Sequence, residues 1–155
     1  MLFAAARDDH LATLIRPALD AGKWVVCDRF ADSTRVYQGV AGNVDPQIIN
    51  ALERIVVAET RPDLTFILDV PARDGMRRAG ERRGKQGADR FEGEALGFHE
   101  RLRDGFLTLA ANEPDRCVLI DATSAKEDVA EQIWHVVQKR LVPQGAASRS
   151  SERTA

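Results

Sequence analysis

The chain has 155 residues, 44% of them hydrophobic and 30% charged, with a net charge of −2. That length suits one domain with a real core, and the near-neutral balance gives no reason to expect nucleic-acid or membrane binding by the whole chain. The apolar runs are far shorter than a bilayer span, and Arg7, Asp8 and Asp9 interrupt the N-terminus where a signal peptide would need an apolar run.

Residues 2–20 read as a helix, because Phe3, Ala6, Leu11, Leu14, Ile15 and Leu19 are spaced for one apolar face. Pro17 predicts a kink or break near Arg16. After Gly22 the run Trp24-Val25-Val26-Cys27 predicts a first strand over 23–28, ending in Asp28-Arg29-Phe30. Asp45 and Pro46 form an N-cap and a first-turn proline for a helix carrying Ile48, Ile49, Leu52, Ile55 and Val56. A second strand is expected over 64–70, a short helix over 72–78, and a Gly-, Arg- and Lys-rich mobile loop over 80–90. A long helix over 94–111, a third strand over 117–121 and a last helix capped by Ser124 follow. From Pro143 to Ala155 the small, polar sequence reads as a disordered tail, leaving residues 1–142 as one domain.

Strands alternating with helices predict an α/β protein with a parallel sheet. Its strands end in Asp28, Asp69 and Asp121, and right-handed crossovers place all three at one sheet edge. Cys27 and Cys117 lie in apolar, strand-like runs without a CxxC pair, and read as buried core thiols in a reducing cytoplasm.

Several groupings suggest chemistry. The carboxyl edge of an open α/β sheet is where ligands sit; an aspartate there suits a metal-bound water or sugar hydroxyl, and an arginine a phosphate. Ser33, Tyr37 and Gln38 supply donors, acceptors and a flat face for a nucleobase. Phe3 and Arg7 are one helical turn apart, and a ring beside a guanidinium suits a pyrimidine. Segment 73–90 carries a charge of +4, leaving −6 elsewhere, and its Gly80, Gly84 and Gly87 allow it to close over an anion. His10, His99 and His135 lack metal-ligand spacing, and no Ser-His-Asp or Cys-His pattern supports covalent catalysis.

In order and over nearly the whole chain, these segments resemble bacterial thymidylate kinase. The match is carried by residues 2–7, 15–19 and 24–30, by Ser33-Thr34 with Tyr37-Gln38-Gly39, and by 61–65 running to Leu68-Asp69-Val70. Asp89-Arg90-Phe91-Glu92 and Ile120-Asp121-Ala122-Thr123 complete it. The resemblance implies a P-loop nucleoside monophosphate kinase-like three-layer fold. It also implies transfer of a phosphoryl group from ATP to dTMP, giving dTDP, with Mg²⁺, in a cytoplasmic homodimer formed through helices such as 3–19.

By the same resemblance, Phe3 stacks on thymine, Arg7 reads the base and Arg29 grips the dTMP phosphate. Asp28 lies near the metal and phosphates, reaching the metal through water. Ser33, Thr34 and Gln38 make base- and phosphate-side contacts, and Tyr37 packs under the deoxyribose. Arg82, Arg83, Lys85 and Arg90 belong to a lid, with Arg83 as its expected catalytic arginine. Asp121, Ala122 and Thr123 line the adenine side.

One departure stands out. The family carries a G-x-x-x-x-G-K-[ST] phosphate loop behind its first strand, and these 155 residues contain no such motif. The expectation is an N-terminally incomplete thymidylate kinase sequence with the first two strands missing, impaired as an enzyme, and unstable or prone to aggregate through open sheet edges. A different nucleoside monophosphate kinase, or a non-catalytic remnant that binds dTMP or dimerises, are the alternatives.

Overall fold

The structure, a computed structural model, describes residues 2–83 and 92–142, with side chains described apart from those of 82, 83 and 92–94. Its elements run α1 (Leu2–His10), a π-helical segment (Leu11–Ile15), α2 (Arg16–Asp20), α3 (Ala31–Thr34), a second π-helical segment (Arg35–Val40) and α4 (Pro46–Val56). Then come β1 (Thr65–Asp69), α5 (Ala72–Arg83), α6 (Glu92–Asn112), β2 (Cys117–Asp121) and α7 (Lys126–Arg140).

The expected proline perturbation lies one turn upstream of Pro17. Pro17 has no N–H to donate, and the helix widens before it, so that the Arg16 N–H reaches back five residues to the Leu11 carbonyl. Beyond it, Gly22 turns the chain at φ 70°. α4 begins as expected, with the Asp45 carboxylate accepting from the Gln47 N–H at 2.8 Å and Pro46 opening the helix.

β1 and β2 pair in parallel, Thr65 opposite Cys117 through Asp69 opposite Asp121. α6 covers this sheet: Ile67, Leu109 and Cys117 are buried together, with Phe106 and Ala110 against them. A second core joins Ala4, Leu11, Ile15 and Val56, with Val25, Phe30 and Leu52 packed on it. Among the described residues no helix is long and apolar enough to cross a membrane.

Five expectations are corrected. Residues 23–27 form no strand, although their side chains alternate: Val25 packs on the helical core while Trp24 and Val26 are 64% and 97% exposed. A strand exists through its ladder partner, and among the described residues the sheet consists of β1 and β2. Cys27 is accordingly exposed, and only Cys117 of the two thiols is buried. Asp69 and Asp121 do share one edge, but Asp28 lies in the irregular stretch before α3 and does not end a strand.

The helix after β1 continues to Arg83 rather than stopping near 78. An i,i+4 ion pair from Arg77 to Glu81 at 2.8 Å lies along the extension. The rest of the expected loop, 84–90, and the tail 143–155 lie outside the described residues. Finally, Ser124 does not cap α7. The Asp121 carboxylate accepts from the Thr123 N–H at 2.9 Å and hydroxyl at 2.6 Å, a turn that delays the helix to Lys126.

Candidate functional site

α1, α3 with its π-helical continuation, and α4 enclose a cleft of about 190 Å³. Phe3 and Arg7 line it from α1, and Thr34 and Gln38 from the facing segment. Val44, Ile48, Ile49, Leu52 and Glu53 close the third side. Phe3 is 63% exposed, so its ring remains open to a planar ligand.

Arg7 is held in place rather than free in solvent. Its Nη2 donates to Thr34 Oγ1 at 2.6 Å and to the Phe30 carbonyl at 3.3 Å, and its guanidinium lies 5.4 Å from the Phe30 ring centroid. Burial lowers its pKa from the ordinary value, opposed by the nearby carboxylates of Glu53 and Asp32. Arginine remains a cation under such shifts.

The helical spacing of 31–40 divides the other expected residues between two adjacent stripes. Thr34 and Gln38 face the cleft, whereas Ser33 and Tyr37, also four apart, meet Arg29. Arg29 Nε donates to Ser33 Oγ at 3.4 Å, and the guanidinium lies 4.5 Å from the Tyr37 ring centroid. Phe106 of α6 meets Tyr37 edge-on at 6.3 Å, fixing the ring from another side. Arg29 has φ 64°, the left-handed region that a non-glycine residue seldom occupies. The turn there swings the chain from the extended 23–27 stretch into α3 and leaves Asp28 and Arg29 exposed.

The Asp121–Thr123 turn lies apart from the cleft, at the carboxyl edge of the sheet. Arg78 of α5 holds it by donating to the Ala122 carbonyl at 2.9 Å and the Thr123 carbonyl at 3.2 Å. The Thr123 hydroxyl and N–H keep the Asp121 carboxyl below the ordinary range. Opposite, Arg103 grips both oxygens of Asp69 at 2.7 and 2.8 Å, which likewise lowers that carboxyl against the effect of burial. Lys85 and Arg90, and the side chains of Arg82 and Arg83, lie outside the described residues.

The thymidylate kinase family model matches residues 1–133. The chain belongs to the thymidylate kinase family. It is 52% identical over 151 residues to a thymidylate kinase of Nitrobacter winogradskyi, covering 97% of this chain and 66% of that protein. It is 54% identical over 147 residues to one of Bradyrhizobium diazoefficiens, covering 95% of this chain and 64% of that protein. The crystal structure of the Ehrlichia chaffeensis thymidylate kinase superposes with a TM-score of 0.67 at 33% identity, over 88% of this chain and 64% of that one. The chain thus spans just under two thirds of the length of these relatives. The P-loop nucleoside monophosphate kinase fold follows from the same superposition, and the α/β reading of the sequence stands.

Two residues at the cleft escape sequence reasoning. Glu53 lines the cleft from α4; a lone acid four residues after buried Ile49 and three before buried Val56 was the available signal. Asp32, 7% exposed, lies directly behind the cleft wall. Its partner Arg116 is 84 residues away in sequence, so no local pattern announces the pair.

Proposed function

We propose that this chain carries the acceptor half of a thymidylate kinase site, in which dTMP receives the γ-phosphoryl group of ATP to give dTDP. The observation that carries the proposal is the convergence of Phe3, Arg7, Thr34 and Gln38 on one cleft. Arg29, Ser33 and Tyr37 stand together on the adjacent stripe of the same segment.

In this reading thymine stacks on Phe3, with Arg7 presenting donors to the base edge from a fixed position. Ser33, Thr34 and Gln38 take base- and phosphate-side contacts. Tyr37, packed between Arg29 and Phe106, lies beneath the deoxyribose. Arg29 receives the phosphate, since an exposed guanidinium on the stripe beside the cleft offers two donors to an anion. Phosphoryl transfer depends mainly on positioning and on stabilising charge, and these residues supply the acceptor's share of both.

Mg²⁺ neutralises phosphate charge when bound. It retains several waters and sits largely on substrate phosphates, so the exposed Asp28 carboxylate beside Arg29 suits contact through water. Arg83 is the proposed catalytic arginine of a lid with Arg82, Lys85 and Arg90. The Asp121–Thr123 turn held by Arg78 is the proposed adenine side. A cytoplasmic homodimer belongs to the same proposal, supported by the exposed Leu2, Leu14 and Leu19 along α1, the first π-helical segment and α2.

Calorimetric titration with dTMP and with ATP separately tests the reading. The chain is expected to bind dTMP, and Phe3→Ala to weaken binding about tenfold, because base–aromatic stacking contributes about 1–3 kcal/mol. No heat with dTMP, or equal affinity for CMP and AMP, sinks the dTMP reading. Binding of dTMP without ATP separates a nucleotide-binding role from catalysis by these 155 residues.

A further inference from the structure

At the cleft walls three carboxylates meet three guanidinium groups. Asp32 is gripped by both terminal nitrogens of Arg116, each at 2.8 Å. Arg116 also donates to Glu113 at 2.7 Å and to the Thr65 hydroxyl at 2.8 Å. Glu53 pairs with Arg61 at 2.6 Å. Arg35 joins these two groups: its Nε lies 3.8 Å from Glu53, while its Nη1 lies 3.6 Å from Asp32 and donates to Glu113.

The charges balance, and the pairing shifts the pKa values of its members. The hydrogen bonds that Arg116 donates to Asp32 push its guanidinium up. Burial pushes the Glu113 carboxyl up, but the bonds from Arg35 and Arg116 outweigh it and hold it below its ordinary value.

Partly buried charge is a poor route to stability alone, since desolvation offsets much of the attraction and apolar replacements often serve as well. What this network does have is reach. Glu53 belongs to one wall of the cleft, while Asp32 and Arg35 flank Ala31 and Thr34 of the facing wall. Glu113, Arg116 and Thr65 anchor both to the starting ends of β1 and β2. Thr34 in turn receives the Arg7 guanidinium at 2.6 Å.

We propose that Arg35 is a positioning residue for the nucleotide cleft: by spanning Glu53, Asp32 and Glu113 it sets the separation of the two walls and thereby, through Thr34, the orientation of Arg7, by which it acts on the nucleotide. This rests on the acceptor-site reading given above. Removing Arg35 leaves each acid a partner, because Asp32 and Glu113 keep Arg116 and Glu53 keeps Arg61. Arg35→Gln is therefore expected to fold with the wall loosened and no buried charge orphaned.

The test is calorimetric titration of the full chain with dTMP, with circular dichroism to verify folding. Arg35→Gln is expected to weaken dTMP about tenfold, and Arg35→Gln/Arg7→Met to bind no more weakly than Arg7→Met alone, because the first substitution acts through the second residue. A purely structural role leaves the two effects multiplicative, and that result overturns the proposal, as does unchanged affinity in folded Arg35→Gln. Should Arg35→Gln fail to fold, Glu113→Gln decides, since it releases Arg35 from the sheet side: weaker dTMP binding supports the proposal and unchanged binding overturns it. Absence of dTMP binding by the unsubstituted chain overturns the acceptor-site reading, and this inference with it.

Discussion

Gly105 lies buried in α6 against the segment that carries Tyr37 and Gln38, and Gly105→Ala sets two opposing effects against each other. Alanine in a helix interior is favoured over glycine by about 1 kcal/mol. A Cβ at 105, however, would sit 2.9 Å from Val36 Cγ1, 3.4 Å from Val40 Cγ1 and 3.5 Å from Val40 Cβ. Val36 is 1% exposed, and a β-branched side chain has little rotamer freedom with which to retreat, so the backbone of 35–40 must move. Overpacking of this kind costs about 1–3 kcal/mol. The clash wins, and a net loss of about 1 kcal/mol is expected, lowering Tm by about 2–4 °C for a chain of this size. Gly97 on the same helix supplies the control: among the described residues its added Cβ would meet only Arg101 Nη1, at 3.7 Å, so Gly97→Ala is expected to stabilise by about 1 kcal/mol. Urea unfolding followed by far-UV circular dichroism measures both. If Gly105→Ala unfolds at the same urea concentration as the unsubstituted chain or at a higher one, the close packing of α6 on the site segment is refuted. Because the displaced residues adjoin Tyr37 and Gln38, dTMP affinity is expected to fall in Gly105→Ala and to hold in Gly97→Ala.

Other outcomes follow from the same structure. Glu113 and Asp69 have lowered pKa values when folded, so the stability they contribute is fully present above their ordinary values of 4.5 and 3.8 and is lost as pH falls below them. Glu113→Gln should therefore flatten part of the acid limb of a Tm-against-pH curve, and an unchanged limb would contradict its pairing with Arg35 and Arg116. Arg78→Gln removes both donors to the Asp121–Thr123 turn; faster amide hydrogen exchange is expected over 121–124 and little change over 46–56. Of the two thiols, the exposed Cys27 should react with a bulky disulfide reagent in the native chain and the buried Cys117 only after unfolding. Two fast-reacting thiols in the native chain would argue against the packing of β2 under α6.

Local signals carried much of this fold. Asp45-Pro46 marked the start of α4 because both residues act on the first turn itself. The apolar runs around Ile67 and Leu119 located β1 and β2. Of the cleft residues, Phe3 and Arg7 were legible for the same reason: they lie four residues apart, and helical spacing puts both on one face. Gln38 was read from its side-chain chemistry, and Thr34 only from the family resemblance.

The tertiary structure decided whatever needed a distant partner. Residues 23–27 have a strand's composition and alternation, yet a strand is a shared ladder, and sequence pattern cannot supply the other half. Cys27 became exposed by the same circumstance. The widening of 35–40 into a π-helix, the close approach of Gly105 to Val36, and the network of Asp32, Arg35 and Arg116 all depend on which elements pack together. Sequence by itself placed Phe3 beside Arg7, because neighbours along a helix share a face. The groups behind them, which set how far apart the cleft walls stand, come from segments as many as 84 residues distant and become neighbours only on folding.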